Sequence, residues 1–189
     1  MLATEAQPPA RQSRFGGGAR HREGLMQVAI LTISDKGAAG RRHDESGDVL
    51  VKMAAEMKGE VVAREIVPDE RDQIEAALRR LAGKADLVLT TGGTGLSPRD
   101  VTPEATRAVI EKELPGFGEA MRMEGLKVTP HAILSRATAG TVGGTLIVNL
   151  PGSPKAVREC LAVVMPAISH AVEIASGKGG ECARTERNK

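Results

Sequence analysis

From Met26 onward, apolar positions come in short runs separated by stretches of helical spacing. Residues 27–34 (QVAILTIS) form a nearly continuous apolar run, the pattern of a strand covered on both faces. A polar, glycine-containing loop follows. Residues 48–58 then read as a helix with Val49, Leu50, Met53 and Met57 on one face and Gly59 at its C-cap. Residues 60–67 (EVVAREIV) predict a second strand. Residues 69–81 predict a second helix, with Asp69 able to cap it and Ile74, Leu78 and Leu81 on its apolar face. A third strand, 86–91 (DLVLTT), runs directly into GGTG. Thr102 as N-cap, Pro103 and Glu104 predict a helix reaching Leu114, where Pro115-Gly116 breaks it. A helix over 118–126, two strands within 132–150 joined around Gly143-Gly144, and a helix over 154–176 kinked at Pro166 complete the pattern. This alternation predicts an α/β fold of three layers: a mostly parallel sheet with helices on both faces and one antiparallel pair.

Composition narrows the function classes. The 189 residues hold no Trp, no Tyr and two Phe, Phe15 and Phe117. Phe117 reads as a packing residue. A stacking platform for single-stranded nucleic acid is thereby disfavoured, and the core must be built from aliphatic residues and Met. The net charge is +2, and residues 1–25, with four arginines against two glutamates, account for all of it. No global field draws the remainder onto nucleic acid or an anionic membrane. No apolar run reaches the roughly 18 residues of a membrane span. Residues 1–25 read as a disordered leader, 26–177 as the folded domain and 178–189 as a polar tail. Cys160 lies in an apolar helical run and Cys182 in the tail. They have no metal-ligand spacing, and a reducing, cytoplasmic compartment is the expectation.

Ligands of open parallel sheets bind beyond the carboxyl ends of the strands. Four loops qualify: 34–35, 68–70, 91–100 and 151–155. The segment TTGGTGLSPRD carries Gly92, Gly93 and Gly95 among the hydroxyls of Thr90, Thr91, Thr94 and Ser97. It is either a phosphate-binding loop or a turn that needs glycine for geometry alone. It is not a P-loop, because no Gly-Lys-Ser/Thr follows. The segment PGSPK, with Ser153 and Lys155, is either an anion site at a helix start or a plain start capped by Ser153. Asp69 and Asp100 lie just past strand ends, where two carboxylates beside phosphate loops suit Mg²⁺. For Asp69 the competing role is the helix cap. Arg99 and Arg136 either face a phosphate or lie solvated at the surface. The four histidines show no ligand spacing, and no GxSxG nucleophile motif is present.

In combination, ISD, IVPDE, TTGGTG, PRDVTPEAT, PGFGEAMR, ILSR and LIVNLPGSPK, in this order and spacing, resemble the molybdopterin-binding fold of molybdenum-cofactor synthesis over about residues 27–177. PRDVTPEAT and PGFGEAMR are most similar to the molybdopterin adenylyltransferase (MogA-type) branch. The resemblance implies a homotrimer that attaches AMP from ATP with Mg²⁺ to molybdopterin, releases pyrophosphate, and passes the adenylate to a molybdate-insertion protein. It implies that Asp69 and Asp100 are the catalytic, metal-holding carboxylates. It places Gly92, Gly93, Thr94 and Gly95 at the ligand site and Ser135 toward the pterin, with Ser34, Thr91 and Arg136 counted among the substrate-binding residues. Pro151, Gly152, Ser153 and Lys155 are implied in the same pocket. Gly125 departs from relatives that carry Ser there. The alternative is a MoaB-type protein that binds molybdopterin without turnover.

Overall fold

The computed structural model describes residues 25–177. The expected leader and tail, with Cys182, lie outside the described residues. The elements run β1 (Met26–Ile33), α1 (Asp35–Ala38), α2 (Glu45–Glu56), β2 (Gly59–Val67), α3 (Arg71–Ala82), β3 (Leu87–Thr91) and α4 (Thr102–Arg107). They continue with β4 (Lys112–Glu113), α5 (Pro115–Leu126), a 3₁₀ turn (Pro130–Leu134), β5 (Ala139–Val142), β6 (Thr145–Leu150) and α6 (Pro154–Ala175). The sheet order is β2-β1-β3-β6-β5-β4. β2, β1, β3 and β6 are mutually parallel. The β5–β6 hairpin is the expected antiparallel pair, and the short β4 extends it at the edge.

The continuous apolar runs have the expected cause. All five residues of β3 and all six of β6 are buried. Because successive side chains point to opposite faces, each strand feeds two cores. Val28, Ile30, Leu87, Leu89, Leu146 and Val148 pack with Leu50 and Met53 of α2 and Leu161 and Ile168 of α6. Ala29, Leu31, Val88 and Ile147 pack with Ile74, Leu78 and Leu81 of α3 and Ala105 of α4. Each fully buried Leu or Ile contributes roughly 1.5–3 kcal/mol, so the sheet ends that carry the loops are rigidly held. Phe117 packs against the first core, as expected. Cys160 does too, and burial, helped by Glu159, pushes its thiol up to about 11. Among the described residues no helix is long and apolar enough to cross a membrane.

Several boundaries differ from the sequence pattern. α2 begins at Glu45, because Asp44 caps it by accepting from the Gly47 amide at 2.9 Å. Gly59 opens β2 instead of capping α2. A Cβ there would lie 2.7 Å from Val28 Cγ2, so the glycine serves close strand packing. The N-cap of α3 is Glu70, with no side-chain bond, because the Asp69 carboxylate is engaged elsewhere. Thr102 lies inside α4, and its N-cap is Val101. That helix stops at Arg107 because residues 112–113 pair with β5. α5 begins at Pro115, which suits a first helical position, and α6 continues through Pro166.

Candidate active site

The loops after β1, β2, β3 and β6 converge with the start of α2 on a cavity of about 210 Å³. Ser34, Asp69, Thr91, Gly92, Gly93 and Gly152 line its strand side, and Asp44 and Ser46 its helix side. Gly92 and Gly93 take φ of +103° and +62°. A Cβ on Gly92 would lie 2.2 Å from the Ile33 carbonyl oxygen, and one on Gly93 2.3 Å from Thr102 Oγ1. The loop therefore needs glycine both for its turn and for its approach to β1 and α4. Thr102 Oγ1 donates to the Gly92 carbonyl at 2.9 Å and fixes the turn from behind. Thr91 Oγ1 donates to the Pro151 carbonyl at 2.6 Å and Ser46 Oγ to that of Gly152 at 2.7 Å, which ties the loop after β6 to β3 and α2. Ser34 caps α1 by accepting from the Gly37 amide at 3.1 Å.

The two aspartates expected at the site flank the glycine loop. Asp69 Oδ1 lies 3.4 Å from the position of a Cβ on Gly93, and Asp100 Oδ2 lies 2.9 Å from that of one on Gly95. Asp69 Oδ2 accepts from the Asp35 amide at 2.8 Å. Asp100 Oδ2 accepts from the Ser97 amide at 2.8 Å and closes the loop on itself. Burial pushes the Asp69 carboxyl above its ordinary pKa. The charges of Asp35 and Asp100 add to this, while the hydrogen bond with Asp35 and the charge of Arg99 oppose it. Asp35 is held below the ordinary range, first by its hydrogen bonds from Arg99 and then by the Asp69 amide.

The remaining expected residues divide. Thr94 is buried, and its carbonyl accepts from the Arg136 amide at 2.9 Å. Arg136 does not face the cavity. Its guanidinium donates to the carbonyls of Gly95 and Asp100 and to Glu104, so it is a strut beneath the 95–100 loop. Ser135 lies in a separate apolar cavity of about 690 Å³ between α5 and α6, which Pro151 and Cys160 also line. Of the PGSPK segment, Gly152 reaches the smaller cavity. Ser153 caps α6 through the Ala156 amide at 3.2 Å. Lys155 is 78% exposed, with Nζ 3.8 Å from Glu159, and lines neither cavity. Ser153 thus serves as the helix cap, and the Lys155 ammonium is exposed at the start of α6. Arg99 is engaged by Asp35 and Glu70.

Three contributors were not singled out by sequence. Asp44, with its side chain 6% exposed, accepts from Thr32 Oγ1 at 2.9 Å and from Arg64 at 2.7 Å, and so seats α2 against the cavity. Asn149, fully buried in β6, donates to Thr90 Oγ1 at 3.0 Å and Thr106 Oγ1 at 2.9 Å, joining β3 and α4. Asp35 was visible as one end of a strand loop, but its bond to Asp69 was not. The available signal for Asp44 was an Asp three residues before a glycine at a helix start.

Residues 29–170 match the family described as a probable molybdopterin binding domain. The molybdopterin adenylyltransferase of Helicobacter pylori J99 is 47% identical over 156 residues, covering 80% of this chain and 89% of that protein. That of Haemophilus influenzae is 41% identical over 144 residues, 72% of each. The crystal structure of the molybdopterin biosynthesis enzyme MoaB from Thermus thermophilus superposes with a TM-score of 0.76 at 50% identity, covering 81% of this chain and 98% of that one. A MogA structure superposes with a TM-score of 0.74 at 37% identity, covering 79% and 99%. With the glycine loop and both aspartates at the strand ends inside the matched span, this chain belongs to the molybdopterin-binding domain family of molybdenum-cofactor biosynthesis.

Proposed function

We propose that this chain is a molybdopterin adenylyltransferase that joins AMP from ATP to the terminal phosphate of molybdopterin and releases pyrophosphate. One observation carries the reading: Asp69 and Asp100 flank a glycine loop whose turn is locked by Thr102. In the reaction, a phosphate oxygen of the pterin attacks the α-phosphorus of ATP, the new P–O bond forms, and the bond to the β-phosphate bridge breaks. This chemistry asks for alignment and charge neutralisation, and it needs no covalent nucleophile. The turn at Gly92-Gly93 brings the loop back over the strand ends, and with the Gly92 amide held by the Leu150 carbonyl at 3.2 Å, the phosphate is assigned to the amides that follow it. Ser34, Thr91 and Gly152 supply the rest of the floor.

The donor set fits magnesium in part. Among the described residues no group of three or more His, Cys, Asp or Glu is placed to hold a metal. Mg²⁺ is ordinarily held by one or two carboxylates, with substrate phosphates and water completing the octahedron. Asp69 and Asp100 would be those carboxylates, and the ion would neutralise charge on the phosphates. The raised pKa of Asp69 is the cost of keeping a carboxylate in the cavity wall, a cost that a bound cation offsets.

The proposal includes a homotrimer, supported by exposed apolar side chains at Met123, Leu126, Val128, Ile133 and Leu134 on α5 and the following turn. It also includes a cytoplasmic setting and hand-over of the adenylate to a molybdate-insertion protein. The second reading, molybdopterin binding without turnover, draws on the likeness to MoaB of Thermus thermophilus. The deciding assay mixes purified protein, molybdopterin, ATP and Mg²⁺ and follows adenylated pterin and pyrophosphate. Product lost in Asp69→Ala and Asp100→Ala is the expected result. Tight pterin binding without product overturns the enzyme reading in favour of the second.

A further inference from the structure

Three strand-end loops meet at one side chain. Arg99, from the loop after β3, donates from Nη2 to both oxygens of Asp35, at 2.8 and 3.0 Å, and from Nε to Oδ2 at 3.3 Å. Its Nη1 donates to Glu70 Oε1 at 2.7 Å. Asp35 follows β1 and Glu70 follows β2. The side chains of Arg99, Asp35 and Glu70 are 50%, 44% and 52% exposed. Ion pairs in that setting contribute on the order of 0–1 kcal/mol and exchange readily. Arg136 is the contrast: it is less exposed, and besides Glu104 it donates to two main-chain carbonyls that hold the loop's shape. Arg99 holds only other side chains, and the one it grips most closely, Asp35, shares two hydrogen bonds with Asp69 in the cavity wall.

We propose that Arg99 is a ligand for the phosphates of the nucleotide, parked on Asp35 and Glu70 in the free protein and transferred to a phosphate when the nucleotide enters. This rests on the adenylyltransferase reading and deepens it. The guanidinium fork that matches a carboxylate also matches a phosphate, and a phosphate carrying more charge makes the stronger pair. Asp35 and Glu70 then set the affinity, because they compete with the nucleotide for the same donors. The parked state also keeps the corner beside Asp69 from carrying unbalanced negative charge before the nucleotide and its cation arrive.

The test is calorimetric binding of Mg-ATP to the full chain without molybdopterin. Arg99→Ala weakens binding by about tenfold, and in turnover the loss falls on KM for ATP and not on kcat. Glu70→Gln, which frees the parked arginine, tightens binding by about two- to threefold, and this gain vanishes in the Arg99→Ala background. A purely structural cluster would move both single variants in the same direction. Unchanged ATP affinity in Arg99→Ala overturns the proposal. So does weakened binding in Glu70→Gln, or a gain from Glu70→Gln that persists without Arg99, which would mark a long-range charge effect. If Arg99→Ala binds normally and the wild-type chain still turns over, only the role of Arg99 falls. If the wild-type chain binds no Mg-ATP at all, the adenylyltransferase reading falls and this proposal with it.

Discussion

Asp35 and Asp69 hold one another by a reciprocal exchange: the Asp35 amide donates to Asp69 Oδ2 at 2.8 Å, and the Asp69 amide donates to Asp35 Oδ1 at 3.0 Å. Two carboxylates that would repel are thus joined through each other's main chains, which ties the loop after β1 to the loop after β2.

The burial of Asp69, which the exchange only partly offsets, has a measurable thermodynamic signature. Asp69 has a folded pKa above its unfolded value, chiefly through burial. Its contribution to stability is therefore fully present below the unfolded pKa and is lost as pH rises through the folded one. Asp69→Asn keeps an acceptor for the Asp35 amide and removes the charge. The variant should melt at a higher temperature than wild type at pH 7, with the difference shrinking toward pH 3, while turnover is abolished. Thermal unfolding followed at both pH values checks this, and a lower melting temperature at pH 7 would refute the burial argument.

The glycine loop should tolerate no Cβ. Gly92→Ala places one 2.2 Å from the Ile33 carbonyl oxygen at a φ of +103°, so backbone must shift. A destabilisation of roughly 2–4 kcal/mol is expected in urea titrations, with loss of activity. Gly40→Ala is the control. It has φ of +67° and nothing within 4 Å, and should cost about 1–2 kcal/mol with activity retained.

Removing the strut should loosen the 95–100 loop more than the fold. Arg136→Ala deletes the donors to the Gly95 and Asp100 carbonyls. Hydrogen exchange at these residues should accelerate, consistent with a local loss of about 1–3 kcal/mol, while core amides in β3 and β6 keep their protection. Arg136→Lys, with a single ammonium in place of the fork, should fail to restore it.

Ser153 and Lys155, two residues apart, should separate cleanly. Ser153→Ala loses the cap on α6 and should cost about 1 kcal/mol. Lys155→Ala should change stability by less than about 0.5 kcal/mol and leave turnover near wild type. A large activity loss at Lys155 would show that its ammonium meets the substrate.

How much of this was legible in the chain depends on how far each signal reaches. The apolar runs of β1, β3 and β6 report burial on both faces, which is a local property of the sequence, and their placement followed. The end of α4 did not, because it is decided by the pairing of Lys112 and Glu113 with β5, residues 27 or more positions away in the register. Asp69 carried a local helix-cap signal, but its carboxylate was claimed by an amide 34 residues earlier in the chain. Arg99 and Arg136 look alike in sequence. Arg99 grips only side chains, while Arg136 grips two main-chain carbonyls as well as Glu104, a difference that exists only after the loops after β1, β2 and β3 have come together.

The position of β6 has a consequence for biosynthesis on the ribosome. It is the last strand in the chain, yet it lies between β3 and β5, pairing Leu87 with Leu146 across 59 residues. A nascent chain that has emerged only as far as α5 presents β3 with one backbone edge unpaired, the kind of open edge that invites intermolecular pairing. The cavity floor at Gly152 is missing over the same interval. Substrate capture therefore begins only after the most aggregation-exposed stage of synthesis has passed, and slow elongation through residues 127–150 would lengthen that stage with no gain in function.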